Sequence, residues 1–288
     1  MNKYVILTDT ACDISAELLK EWNVKELDLT FHFEDDNIEC EGRKMPIKDF
    51  YNRMREGGIA KTAAINPDSF MTVFENELKN GNDILYLAFS SGLSTTFNSS
   101  NIAMNELREK YPERKMITVD TLCASAGQGL CVYLAVQKQR EGATLEEVAE
   151  YIENIKLNIS HWFTVDDLVY LKRGGRVSPT VAFVGSVLSI KPVLHVDNEG
   201  HLINMAKARG RKNSLSALAD KYGELRNNEI SDAVFISHAD ALSDAEYLID
   251  LIKSRYDTDV NIITDIGPII GAHAGPGTIA LFFVGNER

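Results

Sequence analysis

Along the first half of the chain, the apolar pattern switches repeatedly between strand and helix periods. Tyr4–Thr8 is a short continuous apolar run, as in a buried strand, and Asp13-Ile-Ser15 then supplies N-cap chemistry for a helix through about Trp22. From Leu27 to Phe33 the large apolar residues fall on every second position, which predicts a strand with one buried face. Pro46 opens a short helix ending near Gly57-Gly58, and Asn66-Pro67 opens another, which Gly81 stops. Asp83–Phe89 reads as a strand running into Ser90-Ser-Gly-Leu-Ser-Thr-Thr96, and an amphipathic helix follows to about Tyr111. Met116–Val119 is the next strand, ending in Asp120-Thr121, with helical stretches around Ser125–Arg140 and Thr144–Leu157. Strands alternating with helices of this length imply right-handed crossovers and a parallel sheet covered by helices.

From about Ile159 the pattern changes. Val193–Val196, the turn Asp197-Asn-Glu-Gly200 and His201–Met205 form an expected antiparallel hairpin. Strands at Ala233–Ser237, Val260–Thr264 and Ile279–Val284 follow, with helices around Ser214–Leu225 and Asp244–Tyr256. The run Val181–Ile190 is apolar nearly all round, the mark of a buried helix or of one lining a cavity. The expected architecture is therefore a parallel-sheet α/β domain over residues 1–158 and an α+β domain, mostly antiparallel, over 159–288.

Composition narrows the function classes. With 44% hydrophobic and 25% charged residues in 288, the chain has the make-up of an ordinary globular protein. A net charge of −12 argues against binding nucleic acid or an anionic membrane surface. No apolar run approaches the roughly 20 residues of a membrane span, and no secretory signal opens the chain, so a cytoplasmic protein is expected. The four cysteines show no metal or disulfide spacing, and the six histidines are scattered, so neither a metal site nor a disulfide framework is expected.

Ligands of open α/β sheets bind beyond the carboxyl ends of the strands. Here those ends carry Thr8-Asp9-Thr10, Ser90–Thr96 and Asp120-Thr121, and the serine-threonine cluster opening a helix favours an anionic oxygen. Walker-type and GxGxxG signatures are missing, which argues against nucleotide cradling. Gly267-Pro-Ile-Ile-Gly-Ala-His273-Ala-Gly-Pro-Gly-Thr278 has a composition that reads as a tightly specified loop, not a regular helix. Whether His273 is aimed at a ligand or is a satisfied core histidine stays open from the loop alone. Asp166-Asp167 reads as a helix N-terminus. Cations concentrate in Lys172-Arg173-Gly-Gly-Arg176 and Lys207-Ala-Arg209-Gly-Arg211-Lys212, patches suited to an acidic partner surface or a phosphorylated ligand, or equally to a solvated face.

Five segments together carry a resemblance. Thr8-Asp-Thr-Ala-Cys-Asp13, Ser90-Ser-Gly-Leu-Ser94, Asp166-Asp-Leu-Val-Tyr-Leu-Lys-Arg-Gly-Gly-Arg176, Lys191-Pro-Val-Leu194 and Gly267–Thr278 resemble, in order and spacing, the DegV family. The resemblance implies a fatty-acid-binding subunit of bacterial fatty acid kinase (FakB type), not itself an enzyme and without a cofactor. Such a protein holds one fatty acid, such as palmitate, stearate or oleate, between its two domains, and presents the carboxylate to a separate kinase subunit for acyl-phosphate formation in phospholipid metabolism. The family's carboxylate-binding threonine falls on Thr62, with Ala63 in place of the usual serine. The family serine falls on Ser94, followed by Thr95 in place of glycine, and the histidine falls on His273. The arginine before the double glycine is Arg173, expected with the second basic cluster on the face toward the kinase. The head group is expected to be held by neutral hydroxyls, without a buried lysine or arginine. Two other readings stay open: a stand-alone serine/histidine hydrolase or acyltransferase using Ser94 or Cys123 with His273, and a binding module for another anionic lipid.

Overall fold

The computed structural model describes residues 3–36, 38–177 and 190–288. In the first half, β1 (Tyr4–Asp9) leads through α1 (Ala16–Glu21) to β2 (Lys25–Leu27). After β3 (Thr30–Phe33), β4 (Cys40–Glu41), α2 (Ile47–Arg55) and β5 (Ala60–Ala63), the chain continues as α3 (Pro67–Lys79), β6 (Asp83–Ala88), α4 (Thr96–Lys110), β7 (Met116–Asp120), α5 (Ala126–Arg140) and α6 (Leu145–Ile155). Strands β2-β1-β6-β7 make a parallel sheet in that order, and β4-β3-β5 a small antiparallel one.

The continuous apolar runs arise because the parallel sheet is covered on both faces. Ile6, Leu85, Leu87 and Val119 pack with Leu130, Leu134, Val148 and Ile152 of α5 and α6. Their strand neighbours Val5, Leu7, Ile84 and Tyr86 pack with Phe70, Phe74, Ala103 and Leu107 of α3 and α4. Caps fix the helix starts: Ser15 accepts from the Leu18 amide at 3.2 Å, Asn66 from the Ser69 amide at 2.8 Å, and Thr144 with Glu147 forms a capping box.

The second half contains β8 (Ile159–Thr164), α7 (Val169–Gly174), β9 (Ile190–Val196), β10 (Leu202–Arg209), α8 (Arg211–Leu225), β11 (Val234–His238), α9 (Leu242–Tyr256), β12 (Ile262–Asp265), α10 (Pro268–Ala274) and β13 (Ile279–Val284). Its six strands are ordered β10-β9-β8-β13-β11-β12, antiparallel except for the β11–β12 pair. Strand alternation sorts the side chains: Ile279, Leu281 and Phe283 pack beneath α8 and α9, while Ala280 and Phe282 face the other way, where α5 lies between the two large sheets. No described helix is long and apolar enough to cross a membrane.

Three expectations are corrected. The alternating run Leu27–Phe33 is two strands, β2 in the parallel sheet and β3 in the small one, and the Leu29 amide between them donates to Thr10 Oγ1 at 2.9 Å. Strands β5 and β8 were not foreseen; Ala60-Lys-Thr-Ala63 carries no apolar alternation, and all of β8 is buried, polar Ser160, His161 and Thr164 included. Gly267–Thr278 is not wholly a loop, since α10 occupies Pro268–Ala274 with proline in the first turn, where no N–H is needed. The apolar run at 181–190 lies, except for Ile190, outside the described residues.

Candidate functional site

Helix α10 and helix α7 bring two of the five segments into register. Asp166 just before α7, and Tyr170 and Gly174 one turn apart on it, each meet a different position of the Gly267–Thr278 segment. Gly277, at φ 82°, and Gly275, at φ 81°, hold conformations that favour glycine, and a Cβ on either would stand 2.2 Å from Asp166 and Tyr170 respectively. One turn further, Gly174 lies against His273, where its own Cβ would be 2.2 Å from Nδ1. Asp166 also pairs with Lys191 at 2.9 Å.

His273 thus stands in the last turn of α10 with one ring edge closed by Gly174. Its Nε2 meets Thr62 Oγ1 of β5 at 2.8 Å, and its buried Nδ1 has no hydrogen-bond partner among the described residues. Burial, with the nearby Arg176 cation second, pushes the imidazole down to about 4, so the ring is neutral near pH 7. A neutral imidazole carries one proton, and a buried N–H without an acceptor costs more than a lone pair without a donor. The proton therefore belongs on Nε2, donated to Thr62, which leaves the Thr62 hydroxyl proton free to donate elsewhere.

Thr62 and His273 form part of the wall of a cavity of about 510 Å³, within the roughly 300–1,000 Å³ typical of small-molecule sites. Most of its wall is apolar: Leu29, Phe89, Leu93, Phe163, Leu171, Val196, Leu202, Ile266, Ile269, Ile270 and Phe282. Strand period explains the C-terminal contribution, with His161 and Phe163 on β8 and Ala280 and Phe282 on β13 paired side by side on one face. Ser94 lies on the same wall, but its hydroxyl is bonded to Thr96 Oγ1 at 2.9 Å and accepts from the Thr96 amide at 3.2 Å. It does not bond to His273 or Thr62.

Arg176 also lines this cavity, although the sequence placed it only in a basic patch suited to an acidic partner, a phosphorylated ligand or a solvated face. Half-buried, it donates from Nε to the Leu93 carbonyl at 3.3 Å and from Nη1 to the Gly174 carbonyl. Burial alone lowers its affinity for its proton, with no carboxylate opposing. A second, more polar cavity of about 490 Å³ shares Thr62, Arg176 and His273 with the first and adds Lys61, Glu34 and Arg173. Arg173 is exposed there, without an ion-pair partner among the described residues, while Lys61 pairs with Glu34 at 2.6 Å. In the second basic cluster Lys207, Arg209 and Lys212 are exposed, but Arg211 is tied to Asp244 at 2.8 Å and to the Gly277 carbonyl.

Ser15 caps α1, and Asp13, an N-cap candidate for that helix in the sequence, instead anchors the start of α10. Its Oδ1 accepts from the Gly267 amide at 2.8 Å and its Oδ2 from Ser125 at 2.5 Å, and its carbonyl accepts from Thr264 at 2.6 Å. Burial pushes this carboxyl up to about 7 despite those bonds. Ser125, at φ 53°, is a cavity-wall residue and touches Ser237 at 2.9 Å. The nucleophile readings find no such geometry: Ser94 is not bonded to His273, and Cys123 is buried beneath Arg288, its Sγ 3.2 Å from that guanidinium.

A family model described as "Uncharacterised protein, DegV family" matches residues 3–286. The chain belongs to the DegV family. A DegV domain-containing protein of Clostridium perfringens is 44% identical, with 100% of this chain and 99% of the relative covered. Among solved structures, a DegV lipid-binding protein from Thermotoga maritima superposes with TM-score 0.83 at 29% identity, covering 99% of each chain. A fatty-acid-binding DegV family protein from Streptococcus agalactiae gives TM-score 0.84 at 27% identity, with 100% of each chain covered.

Proposed function

We propose that this DegV protein binds one long-chain fatty acid, such as palmitate, stearate or oleate, in the larger cavity, and presents its carboxylate to a separate fatty acid kinase for acyl-phosphate formation. The observation that carries the reading is an apolar cavity whose polar wall includes the Thr62–His273 pair. It agrees with the fatty-acid binding described for the Streptococcus agalactiae protein. Each buried methylene contributes about 0.8 kcal/mol, so a sixteen-carbon chain supplies a gross term on the order of 10 kcal/mol. The head group then sets orientation. In this reading Thr62 donates to the carboxylate, His273 acts through Thr62 by fixing its hydroxyl, and Ser94 donates from the start of α4.

The two-domain division at residues 158 and 159 puts the fatty acid between the domains. The smaller cavity, with exposed Arg173 at its edge, is then the side from which the kinase reaches the carboxylate. The protein contributes positioning and desolvation and no nucleophile. The test is a titration of the delipidated chain with oleate and with octadecane. Saturable one-to-one binding of oleate and a raised melting temperature are expected. Octadecane bound as tightly as oleate, or no oleate binding, removes the reading.

A further inference from the structure

Two of the four cysteines meet just behind the cavity wall. Cys123 lies in the loop between β7 and α5, Cys131 lies within α5, and their fully buried sulfurs are 3.8 Å apart. Arg288, itself only partly buried, stands on the first of them, with Nη2 3.2 Å from Cys123 Sγ. Its guanidinium is held there by the carbonyls of Leu122 at 2.7 Å, Asp197 at 3.1 Å and Lys156, and no carboxylate pairs with it among the described residues. Cys123 donates its own proton to the Thr121 carbonyl at 3.1 Å, so its sulfur is the acceptor for both Arg288 and Cys131. Burial opposes ionisation of this thiol, but those two donors outweigh it and hold Cys123 below the ordinary thiol range, while its bond to Cys123 pushes Cys131 up. The loop is strained as well: Leu122 at φ 54° and Ser125 at φ 53° occupy a region that side-chain-bearing residues seldom adopt.

We infer that Cys123 and Cys131 form a reversible oxidation site: hydrogen peroxide converts the pair to a disulfide, and that bond weakens lipid binding by pulling on the cavity wall. Cys123 Sγ attacks one peroxide oxygen, the O–O bond breaks, and the other oxygen leaves as water with the thiol proton. Cys131 Sγ then attacks the resulting sulfenic acid; the S–S bond forms, the S–O bond breaks, and a second water carries off the second proton. The two thiols lose two electrons, which reduce the peroxide. Closing the sulfurs from 3.8 Å to an S–S bond length of about 2.05 Å moves the Cys123 loop, because Cys131 is fixed within a helix of 15 residues. That loop is tied to the cavity. Ala124 and Ser125 line it, the Ala124 amide donates to His161 of the same wall at 3.3 Å, and the Cys123 carbonyl accepts from the Ser90 amide at 3.0 Å. The oxidation site stands on this geometry, and its effect on lipid rests on the fatty-acid reading.

The experiment treats the delipidated full chain with hydrogen peroxide, blocks the remaining thiols and maps its peptides without reduction, then titrates the reduced and oxidised forms with oleate. A cross-link between Cys123 and Cys131 that dithiothreitol reverses is expected, with oleate bound about tenfold more weakly by the oxidised form. Cys131→Ser should stop at a sulfenic acid on Cys123 that dimedone traps, and Arg288→Gln should slow cross-linking about tenfold by removing the cation that favours the thiolate. No cross-link in the folded protein, one that forms only in denaturant, or an Arg288→Gln rate equal to wild type overturns the site. If Cys131→Ser fails to fold, the wild-type peptide map and the Arg288→Gln rate decide it. Oxidised protein that binds oleate as tightly as the reduced form overturns the link to the cavity. Reduced protein that binds no oleate sinks the fatty-acid reading and that link with it, while the cross-link still reads the oxidation site.

Discussion

Gly174 and His273 are packed so closely that an added Cβ on the glycine would stand 2.2 Å from the imidazole Nδ1. The double glycine of the arginine-rich segment and the histidine of the glycine-proline segment are therefore two halves of one contact, and the geometry of Thr62 depends on it through Nε2.

Gly174→Ala should force the ring away from Thr62. Overpacking of this kind costs about 1–3 kcal/mol, visible as a lower midpoint in chemical denaturation. Lys172→Ala, exposed on the same helix, should stay within about 0.5 kcal/mol of wild type. Equal midpoints for the two variants would show that the contact is not tight.

Much of the fold was legible because its elements announce themselves by period and cap. The buried run of β1, the Asn66-Pro67 opening of α3 and the paired helices α5 and α6 stand where expected. What escaped notice has no period of its own. Strand β5, which carries Thr62, is Ala-Lys-Thr-Ala and is defined by pairing with β3. Helix α10 was masked by Pro268 and Gly271 within it and by the glycines and proline that follow it, although the proline sits in the first turn, where it is tolerated. At the site, Thr62, Ser94 and His273 were reached through family resemblance, and the cavity wall brings them together. Arg176 was hidden because a cation in a basic run looks solvated until its burial at the cavity wall is seen.

Thr62→Val keeps the shape and strand preference of the side chain but strands the His273 N–H. Leaving such a buried donor unpaired costs about 1–3 kcal/mol, so the unliganded protein should be destabilised more than by Ser94→Ala, whose bonds stay within its own turn. Oleate affinity should fall in both. Wild-type stability and affinity in Thr62→Val would remove the relay.

His273 makes stability depend on pH with a definite sign. Its folded value of about 4 lies below the ordinary 6.5, so between these values the unfolded chain binds more protons, and stability falls as pH drops through that window. Replacing His273 with Gln should reduce the slope of unfolding free energy against pH there by about one proton, or ~1.4 kcal/mol per pH unit. An identical slope would mean that the histidine is not neutral and buried.

Asp13 acts in the opposite direction. Its folded carboxyl, raised to about 7 from 3.8, holds protons that the unfolded chain has released, so its contribution falls as pH rises through that interval. Asn at position 13 keeps an acceptor for the Gly267 amide and does not ionise. Relative to wild type, Asp13→Asn should become steadily more stable as pH rises from about 4 to about 7, by thermal unfolding at matched ionic strength. A constant difference would place the carboxyl in solvent.

The most direct measurement is mass spectrometry of lipid extracted from the protein purified without added ligand. The account predicts a long-chain fatty acid recovered near one equivalent from wild type and depleted from Thr62→Val. Recovery of no fatty acid, or of a neutral lipid or phospholipid in its place, would contradict it.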